Sequence, residues 1–204
     1  AWLSNEVNTS DATWQVLGQQ VLMNQMYLPS SLLLDQTGTA TQAFGVILQK
    51  LASGVELTEA EAALYNSTKL PYNLDAWDGY IAEREAVASI LDQTNAVVLA
   101  GDTHNAWYGD VKSQITNETF AKQFATPGVS APGLERLFAN EDPATVAALW
   151  TSLVDGLEYA DTSKRGYLDM SFTDDAATGT WVYVDTVGTL DYKATTHTET
   201  YSLG

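Results

Sequence analysis

The 204-residue chain contains no cysteine. That excludes disulfides, zinc ribbons, iron–sulfur clusters and any cysteine nucleophile within it, and leaves the redox compartment open. Base is scarce as well. Nine Lys and Arg face 26 Asp and Glu, for a formal net charge of −17. A field of that sign repels nucleic acid and anionic lipid, which argues against binding through a broad basic surface. An anionic substrate stays open, because bound metal inverts the local sign in one pocket. Charged residues make up only 17% of the chain, so the acidity reflects missing base rather than acidic tracts. Sparse lysine points to a saline or extracellular setting. No apolar run reaches the ~18 residues that suggest a membrane span. The opening Ala1-Trp2-Leu3-Ser4-Asn5 lacks an initiator Met and the basic, then apolar, pattern of a signal peptide. We therefore expect the chain to begin inside a longer reading frame. Gly-x-Ser-x-Gly, a phosphate-binding glycine loop ending in Lys, and His-Glu-x-x-His are all absent.

Hydrophobic residues, 45% of the chain, suffice for the core of one sizeable domain. Trp14 to Met23 reads as a strand, with Gly18 marking a bulge or a close backbone approach. Pro29 and the serines after it open a loop. Phe44, Ile47, Leu48 and Leu51 have the spacing of a helical face over Thr41–Ala52, and Gly54 stands where a C-cap glycine belongs. Thr58-Glu59-Ala60-Glu61 is a capping-box signature for a second helix running to about Asn66. Together they predict a helical hairpin inserted at about 41–67. Trp77, Ile81, Arg84, Ala88 and Leu91 lie on one side of a long helix ending near Thr94. It feeds an apolar strand, Ala96–Ala100, so helix and strand form one α/β unit. A further strand is expected at 120–126, with turns at 126–128 and 130–133. Asp142 and Pro143 open a helix whose buried face is Val146, Leu149, Trp150, Leu153 and Val154, closed by Gly156. Tyr167–Phe172 and Thr180–Val187 predict a hairpin around Thr173–Gly179, and Tyr192–Tyr201 adds a strand. The whole reads as one α/β unit.

The chemistry concentrates where the strand at 96–100 stops, in Gly101-Asp102-Thr103-His104. Ligands of open α/β sheets collect at the carboxyl ends of strands. A carboxylate and an imidazole two residues apart suit a divalent or trivalent metal that works on oxyanions. The alternative is a turn with an Asx cap and a surface histidine. Two ligands do not complete a site, since dinuclear hydrolases use several carboxylates, an Asn and several histidines. The one other histidine, His197, sits in a hydroxyl-rich tail that reads as solvated surface. Asp75 or Asp78 caps the helix that follows, or Asp78 supports the metal loop from behind. Arg84 either grips phosphate or, the reading we favour, pairs with Glu83 or Glu85. Arg165 serves an anion or pins Asp161–Thr162, and the sequence does not separate these.

Five blocks then fall in one order: Trp14–Val21, Asp75–Tyr80 with Arg84, Val97–Trp107, Phe124–Glu135 and Arg165–Leu168. In this order they resemble the C-terminal half of a PhoD-like alkaline phosphatase, within the metallophosphoesterase superfamily, from about Trp14 to Val187. The resemblance implies part of a four-layer α/β/β/α sandwich with a mixed sheet and a C-terminal hairpin. It implies hydrolysis of phosphate mono- or diesters, calcium and iron as metals, and export to the periplasm or the extracellular space. It maps the late metal ligands, and the catalytic role, onto Asp102 and His104. Asn105 would contact substrate, as would Arg84 in the less favoured phosphate-gripping reading; Asn105 and Trp107 would shape the rim, and Asp78 and Trp107 would back the ligands. The family's early metal-binding blocks are missing here. The front half of the same protein is thus an expected partner, and a catalytically inactive scaffold is the alternative.

Overall fold

The computed structural model describes residues 1–139 and 141–203. Helix α1 (Trp2–Thr9) precedes β1 (Gln15–Gly18), β2 (Tyr27–Pro29), α2 (Ser30–Leu33), α3 (Thr39–Ala52), α4 (Glu59–Tyr65) and β3 (Lys69–Pro71). Then come α5 (Ile81–Leu91), β4 (Ala96–Ala100), β5 (Ala106–Lys112), β6 (Thr119–Ala125), α6 (Pro143–Leu153) and β7 (Leu157–Asp161). The chain closes with β8 (Arg165–Phe172), β9 (Ala176–Val184) and β10 (Ala194–Ser202). Five strands form a mixed sheet in the order β1-β4-β6-β5-β7. β1, β4 and β6 run parallel, while β5 is antiparallel to both its neighbours.

The apolar run of β4 has a partner on each face, which is why it does not alternate with polar residues. Ala96 and Val98 pack with Leu91 of α5, and Ala100 joins the cluster that includes Trp150 and Leu153 of α6. Val97 and Leu99 face the other way, onto Trp181 and Tyr183 of β9. The second sheet, antiparallel in the order β10-β9-β8, packs there. Gly179 permits this contact, because a Cβ at that position would collide with the Phe124 ring. On its outer side that sheet is hydroxyl-rich: Thr178 meets Thr200, and Thr180 meets Thr198, each at 3.2 Å between Oγ atoms.

Local punctuation explains the helical hairpin. α3 begins after Gly38, at φ 77°, and ends before Gly54, at φ 67°. Thr58 and Glu61 form the full capping box: Glu61 N donates to Thr58 Oγ1 at 3.3 Å and Thr58 N to Glu61 Oε2 at 2.8 Å. Asp142 caps α6 by accepting from Thr145 N at 2.9 Å.

Several expectations need correction. The strand expected over Trp14–Met23 is confined to Gln15–Gly18, and Gly18 has open space around it instead of a close approach. Backbone pairing with β4 continues through Gln19 and Gln20, and beyond them side chains become the partners: Gln123 Oε1 accepts from Met23 N at 2.6 Å, and Arg84 Nε donates to Met23 O at 2.9 Å. Pro29 ends β2, which pairs with β3, and the serines after it start α2 rather than a loop. The long helix from Trp77 is interrupted. Trp77–Gly79 is a single 3-10 turn held tight against Leu74, where a Cβ on Gly79 would collide with the Leu74 carbonyl. The hairpin turn is shorter than expected, because β9 begins at Ala176. Among the described residues no helix is long and apolar enough to cross a membrane.

Candidate functional site

Asp102 and His104 leave β4 on the loop that turns into β5, and both side chains are exposed. Both adopt left-handed backbone, at φ 63° and φ 58°. Such conformations cost non-glycine residues on the order of 1–3 kcal/mol each and persist only where the surroundings enforce them. Here the enforcement is visible. Trp107 Nε1 donates to Thr103 Oγ1 at 2.9 Å, and Asn105 Nδ2 donates to Thr103 O at 2.6 Å. Asn105 Oδ1 in turn accepts from Leu134 N at 3.0 Å, which ties the turn to the loop at 127–135. Gly133 must lack a side chain, since a Cβ there would collide with Asn105 Oδ1.

His104 Nδ1 lies 3.0 Å from Pro132 O. A carbonyl only accepts, so Nδ1 carries a proton, and in the neutral imidazole Nε2 then keeps its lone pair, the tautomer that ligates through Nε2. Pro132 is itself held in place. Gly133 N donates to Glu135 Oε2 at 2.9 Å, and Glu135 pairs with Arg165, whose Nη1 donates to Ser163 O at 2.9 Å. Arg165 thus braces the loop that carries the His104 partner.

Asp78 is 5% exposed. Its Oδ2 accepts from Met26 N at 2.9 Å, while Oδ1 has no partner among the described residues. Burial pushes its pKa up to about 6, against the opposing pull of the Met26 N–H and Arg84. Asp78, Tyr72, Asp102 and Thr103 border one void of about 10 Å³, room for about one water. A raised folded-state pKa means the native protein binds the proton more tightly than the unfolded chain. The contribution of Asp78 to stability therefore falls as pH rises from about 4 to about 6, then levels off. Asp78→Asn should flatten that fall, which is on the order of 2–3 kcal/mol, in urea titrations across this range. An unchanged pH profile would show that Asp78 is not its source.

The other expected site residues lie elsewhere. Asn105 and Trp107, at 1% and 0% exposed, do not reach a rim; they are brackets beneath the loop. Arg84 is fully buried and points away from solvent: Nε reaches Met23 O at 2.9 Å, Nη2 reaches Lys112 O at 2.7 Å, and Nη1 pairs with Glu85 at 2.8 Å. That is the geometry of a structural ion pair, with no donor left aimed at an outside phosphate. Asp75 is exposed and forms no cap; Asn73 Oδ1 accepts from its N–H at 2.9 Å. His197 stacks on Tyr159 at 3.7 Å and meets Glu199 at 2.9 Å, so it belongs to the seating of β10 on β7.

One residue had no sequence signal. Tyr72 borders the void at Asp102 and also a cavity of about 560 Å³ beside α2, α3 and α6. Burial, and then the Asp102 charge, raise its pKa. Asp102 also faces an open concavity of about 620 Å³, shared with Gln19, Gln20, Thr126 and Tyr167. Among the described residues no three His, Asp or Glu side chains gather to hold a metal.

The family model described as PhoD-like phosphatase matches residues 1–181. Alkaline phosphatase D of Bacillus subtilis (strain 168) is 25% identical over 138 residues, 65% of this chain and 18% of that protein. A solved structure titled "Structure of PhoD" superposes with a TM-score of 0.62 at 19% identity, over 98% of this chain and 32% of that one. The structural likeness supports a shared fold. The chain spans only a minor part of either relative's length.

Proposed function

The chain belongs to the PhoD-like phosphatase family, and from that premise we propose that it supplies the late metal-ligand loop of a phosphoric-ester hydrolase acting on mono- or diesters. The observation that carries this reading is the pair of enforced left-handed residues after β4, one carboxylate and one imidazole with Nε2 free. Asp102 and His104 fit a metal as two members of a larger shell. The remaining ligands come from a front half of the protein, seated on the open concavity beside Asp102 and completing a four-layer sandwich around the 204 residues, which form one unit with α3–α4 as an insertion. Calcium and iron are the metals we expect, in an exported protein. When bound, such metals lower the pKa of a water towards ~7 and neutralise phosphoryl charge.

The chain's own part is positional. Asn105 and Trp107 hold Thr103, and with it the backbone that aims both ligands. Pro132 fixes the imidazole tautomer, and the Arg165–Glu135 pair holds Pro132 in place.

A second reading, a catalytically silent scaffold, draws on the absence, among the described residues, of any three His, Asp or Glu side chains placed to share a metal. Calorimetric titration with calcium and with ferric iron separates the two. We expect weak binding and no ester turnover from the 204-residue chain, and tight binding with turnover once a front-half segment is supplied. Reconstituted protein that binds no metal and turns over no ester would establish the scaffold.

A further inference from the structure

We propose that the cavity of about 560 Å³ beside Tyr72 takes the organic group of the ester, an aryl or similarly apolar alcohol, and that Tyr72, which also borders the small void at Asp102, donates a hydrogen bond from Oη to a phosphoryl oxygen. The proposal rests on the hydrolase reading above and names its substrate class.

Four observations support it. First, Tyr72 is shared by the cavity and by the small void that contains Asp102, so one side chain touches both compartments. Second, among the described residues the one buried side-chain oxygen or nitrogen without a partner is Asp78 Oδ1, so the Tyr72 hydroxyl, which bonds to no described residue, is open to an outside acceptor; its backbone N–H is satisfied by Met26 O at 2.8 Å. Third, packed aromatic rings lead from the cavity wall to the metal loop. Tyr72 meets Trp150 edge-on at 4.9 Å, Trp150 packs on Trp107 at 5.2 Å, and Trp107 holds Thr103. Fourth, the lining has the composition of a ligand pocket. Leu28, Leu33, Leu137 and Phe138 supply apolar surface, and Arg136 stands among the lining residues with the carboxylates of Asp35 and Glu141. Ligand cavities typically span about 300–1,000 Å³ with mainly apolar and aromatic walls and a few polar groups. A bare phosphate or a polyol would leave these leucines in contact with water and gain nothing from the rings. An aryl alcohol covers them.

The test separates the cavity from the reaction. 2-Naphthol, which has the ring and no phosphate, is titrated calorimetrically into the 204-residue chain. It should bind the wild-type chain and Tyr72→Phe alike, and bind roughly tenfold or more weakly to Thr41→Trp, which fills the cavity from α3. Leu33→Trp, from α2, fills the same cavity independently should the first variant fold poorly. In the reconstituted enzyme, Thr41→Trp should raise KM for 2-naphthyl phosphate and leave methyl phosphate unchanged. Tyr72→Phe should lower kcat/KM for both esters about tenfold or more, the loss of a hydrogen bond to a charged oxygen. Absent naphthol binding, or binding indifferent to both tryptophans, overturns the cavity assignment whatever the activity. Equal kcat/KM in Tyr72→Phe overturns the hydroxyl's role. Naphthol binding in a protein that hydrolyses no ester upholds the cavity and overturns the hydrolase.

Discussion

Replacing His104 by alanine should lower ester turnover in the reconstituted enzyme by at least about 100-fold, since losing even a group that only supports a metal ligand costs 10–100-fold. The side chain is exposed, and its Nδ1 bond to Pro132 O lies on the surface, so unfolding free energy should move little. That combination distinguishes a ligand from a packing residue. Asparagine is the sharper control. It tolerates left-handed backbone well, so His104→Asn keeps the φ of 58° and removes the imidazole. Both variants should lose metal binding in calorimetry alongside turnover. Full activity in either would sink the assignment of His104.

Arg84→Ala should destabilise the chain by about 3–5 kcal/mol, the range for breaking a buried ion pair. The guanidinium is fully enclosed and satisfies Met23 O, Lys112 O and Glu85 from one fork. Alanine strands two backbone carbonyls and a carboxylate. Arg84→Lys should recover only part of the loss, because an ammonium cannot span the same acceptors. Urea unfolding measures both. The lysine variant also revisits a phosphate role: wild-type stability combined with a raised KM for ester would return Arg84 to the substrate.

What was legible in the sequence was local. The capping box at Thr58, the positive-φ glycine at 54, the Asp142 cap and the β4 run each depend on a handful of adjacent residues. The Gly101–His104 loop was legible for the same reason. β5 and β7 were not assigned from the sequence. Residues 106–112 include Gly109 and Asp110, which break a strand pattern; Gly109 is required because a Cβ there would collide with Gly156 O from β7's approach. Tyr72 and Pro132 were invisible as site residues because their roles arise from contacts some 30 residues away in sequence, Asp102 for one and His104 for the other. Asn105 was misplaced at a rim because its burial depends on Leu134, on a separate loop.

The two left-handed positions after β4 also restrict what drift can do to this protein. Outside glycine, the residues that most readily accept that backbone are Asn, Asp and His. Those three are also oxygen or nitrogen donors. Stereochemistry at 102 and 104 therefore filters substitutions before any selection on chemistry acts, and the ones that pass with least strain are polar or glycine, although Asn at 104 lacks the imidazole. The loop can lose a donor in one step to glycine, but it cannot easily acquire a bulky apolar replacement, so the backbone itself shelters the site's chemical character.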